Sequence, residues 1–368
     1  MKTQISNNMC SNGEKTKMGD MVTIVIPAFN AENFVGEAVK SCFNQTHRPI
    51  EIVLVNDGSK DRTAERFEKL KATLDTQNFR LRLINLKTNT GAANALNVGF
   101  SYANGSYICW LSVDDVFIEK KKIEKQLRYM KNTSAQWSYF RDCYFGGTFA
   151  TAKLARGSYF LSFRMLDPLF LRDAELRLAA LFFKNPINGS SVMITQKCVK
   201  SFGQFDPCTG NIDGDGDLWM RYSALNLKVS VLKGAAVFYR EHPRQTSKNR
   251  TRMMYGCELT RVRMLRLIEK YGKLTNILRK FSPFLLLLSI TEKYLDRPLT
   301  SEFIFGYIIK NKQDFDVLLY KEAMKALNKL KNYEIYQKID KEKFSKDLES
   351  LMSSNTFRDF ERKFRKLF

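Results

Sequence analysis

From Met21 to about Asp115 the chain alternates short apolar runs with helical stretches, and this pattern constrains its fold more than any other feature. The runs are VTIVI (Val22 to Ile26), IEIVLV (Ile50 to Val55), RLRLINL (Arg80 to Leu86) and SYICWL (Ser106 to Leu111). They are short and rich in β-branched or aromatic residues. Between them lie FVGEAVKSCF, RTAERFEKLKATL and AANALNVGFSYA, long enough for helices. Strand and helix in turn predict an α/β fold, a Rossmann-like and mostly parallel sheet with helices on both faces. Ligands of such sheets bind beyond the carboxyl ends of the strands, so the residues that follow each run are the ones to read for function.

Three of those ends are polar. After the first run comes PAFNAEN, where Pro27 is expected to end strand pairing and Asn30 to start a turn or cap the next helix. After the second comes NDGSKDRT, where Asp57 follows a buried strand, Gly58 permits close backbone approach and Asp61 or Thr63 caps a helix. After the fourth, WLSVDDVF sets Asp114 and Asp115 side by side. Neighbouring carboxylates raise each other's pKa unless a cation, a donor or water offsets the repulsion. Mg2+ and Mn2+ suit such a pair. A plainer alternative stands beside each motif: a strand-to-helix turn at Asp57, and an N-cap at Asp115 for a helix starting near Ile118.

A further constellation, GNIDGDGDLWMRY, presents Asp213, Asp215 and Asp217 just before an aromatic, amphipathic helix. It is no calcium loop of the EF-hand type, since the twelfth position from Asp213 is Ala224 instead of a bidentate Glu. One of these acids can act as a general base; helix capping by Asp215 or Asp217 is the alternative.

Beyond Ile118 the pattern predicts a helix in IEKKKIEKQLRYM, an aromatic-rich region from Trp137 to Phe183, a strand at SVMIT, a turn at FGQFD and a helix at DLWMRYSALN. From about Thr251 the chain reads as helical, with Pro283 and Pro298 as breakers. The predicted organisation is a polar leader over 1–20, a main domain over 21–250 and a basic helical region over 251–368.

The net charge of +22 is concentrated late: up to Asp217 there are 28 Lys and Arg against 22 Asp and Glu, and thereafter 32 against 16. Such a surface favours polyanions, either nucleic acid or anionic lipid headgroups. No RRM, zinc-finger or helix-turn-helix signature accompanies the charge, which sets a nucleic-acid-binding protein behind an enzyme. The seven cysteines are scattered and never form CxxC, which argues against a disulfide framework or zinc site and suits a reducing cytosol. The leader lacks an apolar core, and FSPFLLLLSI (Phe281 to Ile290) is about half the roughly 20 residues of a membrane crossing, so a buried helix is expected there.

Taken in order, VTIVIPAFNAENFVGEAVKSCFNQTHRPIEIVLVNDGSKDRT, NTGAANALNVGFSYANGSYICWLSVDD, GQFD and DGDLWMR closely resemble glycosyltransferase family 2, whose fold is GT-A. The resemblance runs from about Val22 to about Ser247. It implies an inverting transfer from a nucleotide sugar, most often UDP-linked, to a hydroxyl of a glycan or lipid-linked acceptor, with Mn2+ or Mg2+ as cofactor. It sets Pro27, Ala28 and Asn30 beside the nucleotide, Asp57 on the uracil and Asp114 near the ribose or sugar. Asp115 becomes the metal ligand and Asp215 the catalytic base. His242, in YREHPRQTS, becomes a further neighbour of metal or diphosphate, with a purely structural histidine as the alternative. NPINGSSVMI (Asn185 to Ile194) resembles the loop and strand beneath the acceptor.

Three positions depart from the family's commoner residues: Asn56, Ser112 and Gly214 each stand where an acid is usual. Gly214 removes an acid that could orient acceptor or base, which leaves the acceptor open. A catalytically silent nucleotide-sugar-binding module is a rival, opposed by the joint presence of Asp57, Asp115 and Asp215. The basic C-terminal helices suit docking on an anionic membrane surface, on its cytoplasmic face, or simply a solvated helical cap.

Overall fold

A computed structural model describes residues 20–157, 167–209 and 214–367; the leader up to residue 19 and Asp213 lie outside the described residues. The expected alternation is present as β1 (Val22–Ala28), α1 (Val35–Phe43), β2 (Ile50–Asn56), α2 (Thr63–Leu74), β3 (Phe79–Asn85), α3 (Ala92–Tyr102) and β4 (Tyr107–Trp110). Next come β5 (Val116–Phe117), α4 (Lys122–Thr133), β6 (Trp137–Gly146), β7 (Lys153–Arg156), α5 (Asp167–Arg172) and α6 (Ala174–Leu181). They are followed by β8 (Met193–Thr195), α7 (Gln196–Phe202), α8 (Gly214–Ala224) and β9 (Val229–Arg240). The remainder is helical: α9 (Arg250–Lys270), α10 (Leu274–Ile290), α11 (Pro298–Lys310), α12 (Val317–Lys331), α13 (Glu334–Gln337), α14 (Lys341–Met352) and α15 (Asn355–Arg365).

The strands form one sheet in the order β3-β2-β1-β4-β8-β6-β9-β5, with β7 hydrogen-bonded to β6. The sheet is mixed, which corrects the expectation of a mostly parallel one. β3, β2, β1 and β4 are parallel to one another. β8 runs antiparallel to both β4 and β6, and β5 antiparallel to β9. The missed elements explain the error. β6 sits inside the aromatic-rich region, and β9, VSVLKGAAVFYR, carries Gly234 at positive φ within a strand. Both blur the period-two signal that marks a strand.

Strand alternation divides the core. Val22, Ile24 and Ile26 pack on one face with Val35, Val39 and Cys42 of α1. Val25 faces the other side, with Ala95 and Leu96 of α3. That second core continues without a break through Trp219 of α8 into Leu265, Phe281, Phe305 and Phe357 of the C-terminal helices.

Two prolines behave differently from expectation. Pro27 lies within β1, opposite Val55, and does not end it. Val25 directs its carbonyl to Leu111, so Pro27, two residues on, turns its missing N–H past the end of β4, where no acceptor is required. Pro283 sits inside α10 and does not break it, whereas Pro298 opens α11, where its missing N–H costs nothing. The apolar face of α10, with Phe281, Leu285 and Leu288, is buried as expected. Among the described residues no helix is long and apolar enough to cross a membrane, and no disulfide joins the six described cysteines.

Candidate active site

The ends of β1 and β2 form one braced corner. Asp57 is 3% exposed, and both its oxygens are engaged: Oδ1 accepts from the backbone and hydroxyl of Thr90 (2.8 and 2.9 Å), Oδ2 from Gly91 N (2.9 Å). It thereby ties β2 to the start of α3. Gly58 makes this possible: at φ +73° a Cβ would lie 2.6 Å from the Thr88 carbonyl carbon, so no other residue fits beneath that loop. Asn30, at φ +48°, accepts from Lys60 N (2.9 Å) and donates its own N–H to Ser59 Oγ (2.9 Å). Asp61 accepts from Glu32 N (3.0 Å) and Thr63 N (3.0 Å), lacing the two loops together. Ala28 is buried, and Pro27 is half-buried beside it. Asn56 has a structural reason: its Nδ2 donates to Asn85 Oδ1 (2.8 Å) across β2 and β3, which a carboxylate could not do.

The acidic pair lies at the end of β4. Asp115 does not cap a helix, since Val116 and Phe117 enter β5 and α4 starts only at Lys122. It is 2% exposed; Oδ2 accepts from Ser190 Oγ (2.6 Å) and Oδ1 from Arg240 N (3.2 Å). Burial first, and then the Asp114 charge, push its carboxyl well above the usual carboxylate range. Asp114 is partly exposed, and its Oδ2 lies 3.0 Å from His242 Nε2. Arg240 fixes the arrangement from β9: its Nε donates to the Asp114 carbonyl (3.0 Å) and its Nη2 to Glu37, with the guanidinium over Phe34. The His242 ring also lies against Phe34, at 5.0 Å.

A cavity of about 380 Å³ opens between β6, β7, β9 and the 185–188 loop, lined by Cys143, Phe145, Pro186, Ile187, Asn188 and Tyr239 among others. Asn188 Oδ1 is buried without a hydrogen-bond partner among the described residues. Burial raises the Cys143 thiol to about 11 and the Tyr239 phenol above its ordinary value, and the Asp115 charge adds to both, which puts the cavity beside the acidic pair.

Asp215 lies in the first turn of α8, half-buried, with Oδ1 accepting from Gly216 N (2.8 Å). One helical turn later, Trp219 stacks between Trp110 (5.7 Å, 8°) and Trp137 (5.0 Å, 2°). Trp110 is the last residue of β4, so this stack seats α8 against the strand that leads to Asp114 and Asp115. Gly189 leaves room for it, since a Cβ there would stand 2.9 Å from Trp110 Nε1. The opposite side of α8 approaches α3: a Cβ at Gly214 would lie 4.0 Å from that of Ala93, two residues after the Gly91 amide that Asp57 grips.

The structure thus gathers Pro27, Ala28, Asn30, Asp57, Asp114, Asp115, Asp215 and His242 on elements that meet at one sheet edge. Asp217, the other capping candidate, turns inward instead, to the guanidinium groups of Arg221 and Arg263. Sequence reading missed Ser190 and Arg240, which hold Asp115. Arg240 stands two residues from His242 in YREHPR, and Ser190 lies in a loop left without a role.

Among the described residues no three His, Cys, Asp or Glu side chains converge as a cage for a metal. The donor set here is smaller: a buried carboxylate whose proton affinity is raised, with Asp114 and His242 alongside. Oxygen donors of this kind fit Mn2+ or Mg2+, which are commonly held by one or two carboxylates with substrate phosphates completing the shell.

Residues 23–183 match the family model described as glycosyl transferase family 2. This part of the chain is similar to that family. A glycosyltransferase of Haemophilus influenzae described as uncharacterized is 38% identical over 110 residues, 30% of this chain and 42% of that relative. A second from the same organism is 27% identical over 62% of this chain and 67% of its own length. Several of these curated relatives are therefore matched over less than half their length. Among solved structures, Staphylococcus aureus TarS 1-349 in complex with UDP-GlcNAc superposes with a TM-score of 0.53 at 15% identity, over 94% of this chain and 91% of that one. The mannosyltransferase PcManGT of Pyrobaculum calidifontis, in complex with GDP-Man and Mn2+, gives 0.53 at 15% identity over 90% and 85%. The chain therefore contains a Rossmann-like α/β fold related to GT-A.

Proposed function

We propose that the chain is an inverting glycosyltransferase that moves a sugar from a nucleotide sugar, UDP-linked, to a hydroxyl of a glycan or lipid-linked acceptor. The observation that carries this reading is Asp115: a buried carboxylate with no cationic side chain of the described residues on its own oxygens, beside a second acid, at the strand edge where α/β folds bind ligands. The complexes of TarS with UDP-GlcNAc and of PcManGT with GDP-Man and Mn2+ support a nucleotide-sugar donor and a divalent cation.

In this reading the loops after β1 and β2 take the nucleotide. Pro27, Ala28 and Asn30 border it, and Asp57, already braced on Thr90 and Gly91, presents its remaining lone pair to the imide N–H of uracil. Asp115 and His242 hold the cation, with Asp114 near the ribose or sugar. A divalent cation held by these residues would supply charge neutralisation for the diphosphate leaving group. Asp215 takes the proton of the attacking hydroxyl as it approaches the anomeric carbon from the opposite face; such a base typically contributes 10² to 10⁴ in rate. Single displacement without a covalent intermediate inverts the centre. The cavity beside Asp115, apolar with one orphaned amide oxygen, suits a sugar ring that packs an apolar face and donates one hydrogen bond. The glycosyltransferase domain is assigned to residues 21–250, with the basic helices beyond it facing an anionic membrane on its cytoplasmic side.

The test is a thermal-shift series with UDP, GDP, dTDP and their sugars, with and without Mn2+. Stabilisation by one nucleotide that depends on Mn2+, and is lost in Asp115→Asn, supports the assignment. Indifference to all nucleotides would remove it.

A further inference from the structure

Asp215 is flanked by Gly214 and Gly216, and glycine is among the poorest helix formers, costing about 1 kcal/mol relative to alanine at interior positions. A general base on such a turn needs an external support to hold its geometry. Two buried carboxylates bracket the segment that carries it. Asp206 stands before it, where its Oδ1 accepts from Cys208 N (3.0 Å) and its backbone carbonyl from Thr209 N (3.1 Å). Asp217 stands after it, two residues beyond Asp215.

One guanidinium joins both. Arg263, from the middle of α9, donates through Nη1 to Asp206 Oδ2 (2.6 Å) and through Nη2 to Asp217 Oδ1 (2.5 Å), with none of the three side chains more than 1% exposed. Its other contacts come from the C-terminal helices: Nη1 also reaches the Leu351 carbonyl (3.1 Å), and the guanidinium plane lies 4.2 Å from the ring centroid of Phe357. Ser354 Oγ donates to the same Asp206 oxygen (2.7 Å). Arg221 completes the set on Asp217 Oδ2 (2.8 Å).

We infer that Arg263 is a positioning residue for the reaction, stapling both stems of the segment that carries Asp215 and thereby making the C-terminal helices part of the active-site framework. This rests on the reading of Asp215 as general base. The planar fork suits the task because it bridges two carboxylates at fixed separation; a lysine supplies charge from one point only. Displacement of a catalytic group by about 1 Å can cost of order 100-fold in rate.

The molecule offers a specific readout. Its three tryptophans are Trp110, Trp137 and Trp219, all in the one stack that seats α8, so the tryptophan bands of the near-ultraviolet circular dichroism report on that stack. The experiment compares the full chain with Arg263→Met and Arg263→Lys by far- and near-ultraviolet dichroism, UDP affinity by calorimetry, and UDP release from UDP-GlcNAc with water as acceptor. We expect Arg263→Met to keep its far-ultraviolet spectrum and to bind UDP within about twofold of wild type. It should lose most of the tryptophan signal and release UDP roughly 10- to 100-fold more slowly. Arg263→Lys should fall between, and it stands in if the methionine variant does not fold. A folded variant with the wild-type tryptophan signal overturns the proposal, as does a loss of UDP affinity in proportion to the loss of turnover. Asp215→Asn separates the two claims: turnover at the wild-type rate there removes the base assignment and leaves the dichroism result standing.

Discussion

The molecule holds two pairs of acids, with Asp115, Asp206 and Asp217 buried and Asp114 partly exposed, and treats them in opposite ways. Asp206 and Asp217 meet cations on their own oxygens: Arg263 bridges them, Arg221 takes the second oxygen of Asp217, and the positive partners hold the Asp217 carboxyl below its usual range despite complete burial. Asp114 and Asp115 meet a serine, a backbone amide and a histidine, and Asp115 is pushed upward. Burial is common to Asp115 and Asp217, so their partners decide the outcome. A carboxylate neutralised from within the chain is part of the frame; one left to raise its own proton affinity at a strand edge is free to receive a cation from outside.

The largest effect expected from breaking this contrast is a truncation after residue 250. It would remove Arg263, leaving Asp206 without its cation and Asp217 with Arg221 alone, a loss of about 3–5 kcal/mol for one broken buried pair. It would also expose the core shared by Trp219 and Phe281. Soluble expression and gel filtration should then show aggregate or no protein; a monodisperse, cooperatively melting fragment would show that the domain stands without its helices.

Next in size is Asp217→Asn, which takes the shared carboxylate charge from two buried guanidinium groups and should cost about 3–5 kcal/mol by chemical denaturation. The pH dependence follows from the sign. Because the folded carboxyl is held below its ordinary value of 3.8, its contribution to stability is fully present above that value. It disappears as pH falls through the lower, folded pKa. Wild type should therefore lose stability more steeply than Asp217→Asn below about pH 4, with the two curves parallel above pH 6.

Asp115→Asn should do the reverse. Removing a buried charge that lacks a cation should raise Tm in EDTA by about 2 °C, on the scale of ~1 kcal/mol per 2–4 °C for a large domain. Addition of Mn2+ should then stabilise wild type and leave the variant unmoved, with activity lower by a factor of at least about 100. If Asp115→Asn is instead as damaging as Asp217→Asn, the two acid pairs are alike and the contrast fails.

How much of this was legible in the sequence follows from the same physics. β1 and β2 were readable because parallel strands buried on both faces are runs of Val and Ile, β3 because exposed Arg80 and Arg82 alternate with buried Phe79 and Leu81, and the residues after the strands, Asp57 and Asp114 with Asp115, fall where the fold exposes its edge. β6 and β9 were not, since the aromatic composition of one and the Gly234 bend of the other hide their alternation. The role of Arg263 was out of reach for another reason. In a Lys- and Arg-rich helix each cation reads as solvated surface, and only the tertiary fold shows that Arg263 points at acids 57 and 46 residues earlier. Asp217 was misjudged in the same way, as a cap, because its partners are distant in sequence.

The smallest effect tests whether a third acid at this edge needs a cation at all. Asn56→Asp restores the family's commoner residue and replaces an amide that donates to Asn85 Oδ1 with a carboxylate that cannot. Asn85, unlike Asn56, is exposed. Its amide can therefore rotate and offer Nδ2 in return, and Ser59 N continues to donate to the side chain at position 56 (3.2 Å). One neutral hydrogen bond is exchanged for another to a charged acceptor, with the adjacent Asp57 opposing the new charge. A net loss of no more than about 1 kcal/mol is expected, seen as a Tm lower by about 1–3 °C with UDP affinity within about twofold of wild type. A loss as large as that of Asp217→Asn would mean that an adjustable exposed donor cannot stand in for a cation at this edge, and that Asp115, whose partners are a serine and a backbone amide, is held by something more than they provide.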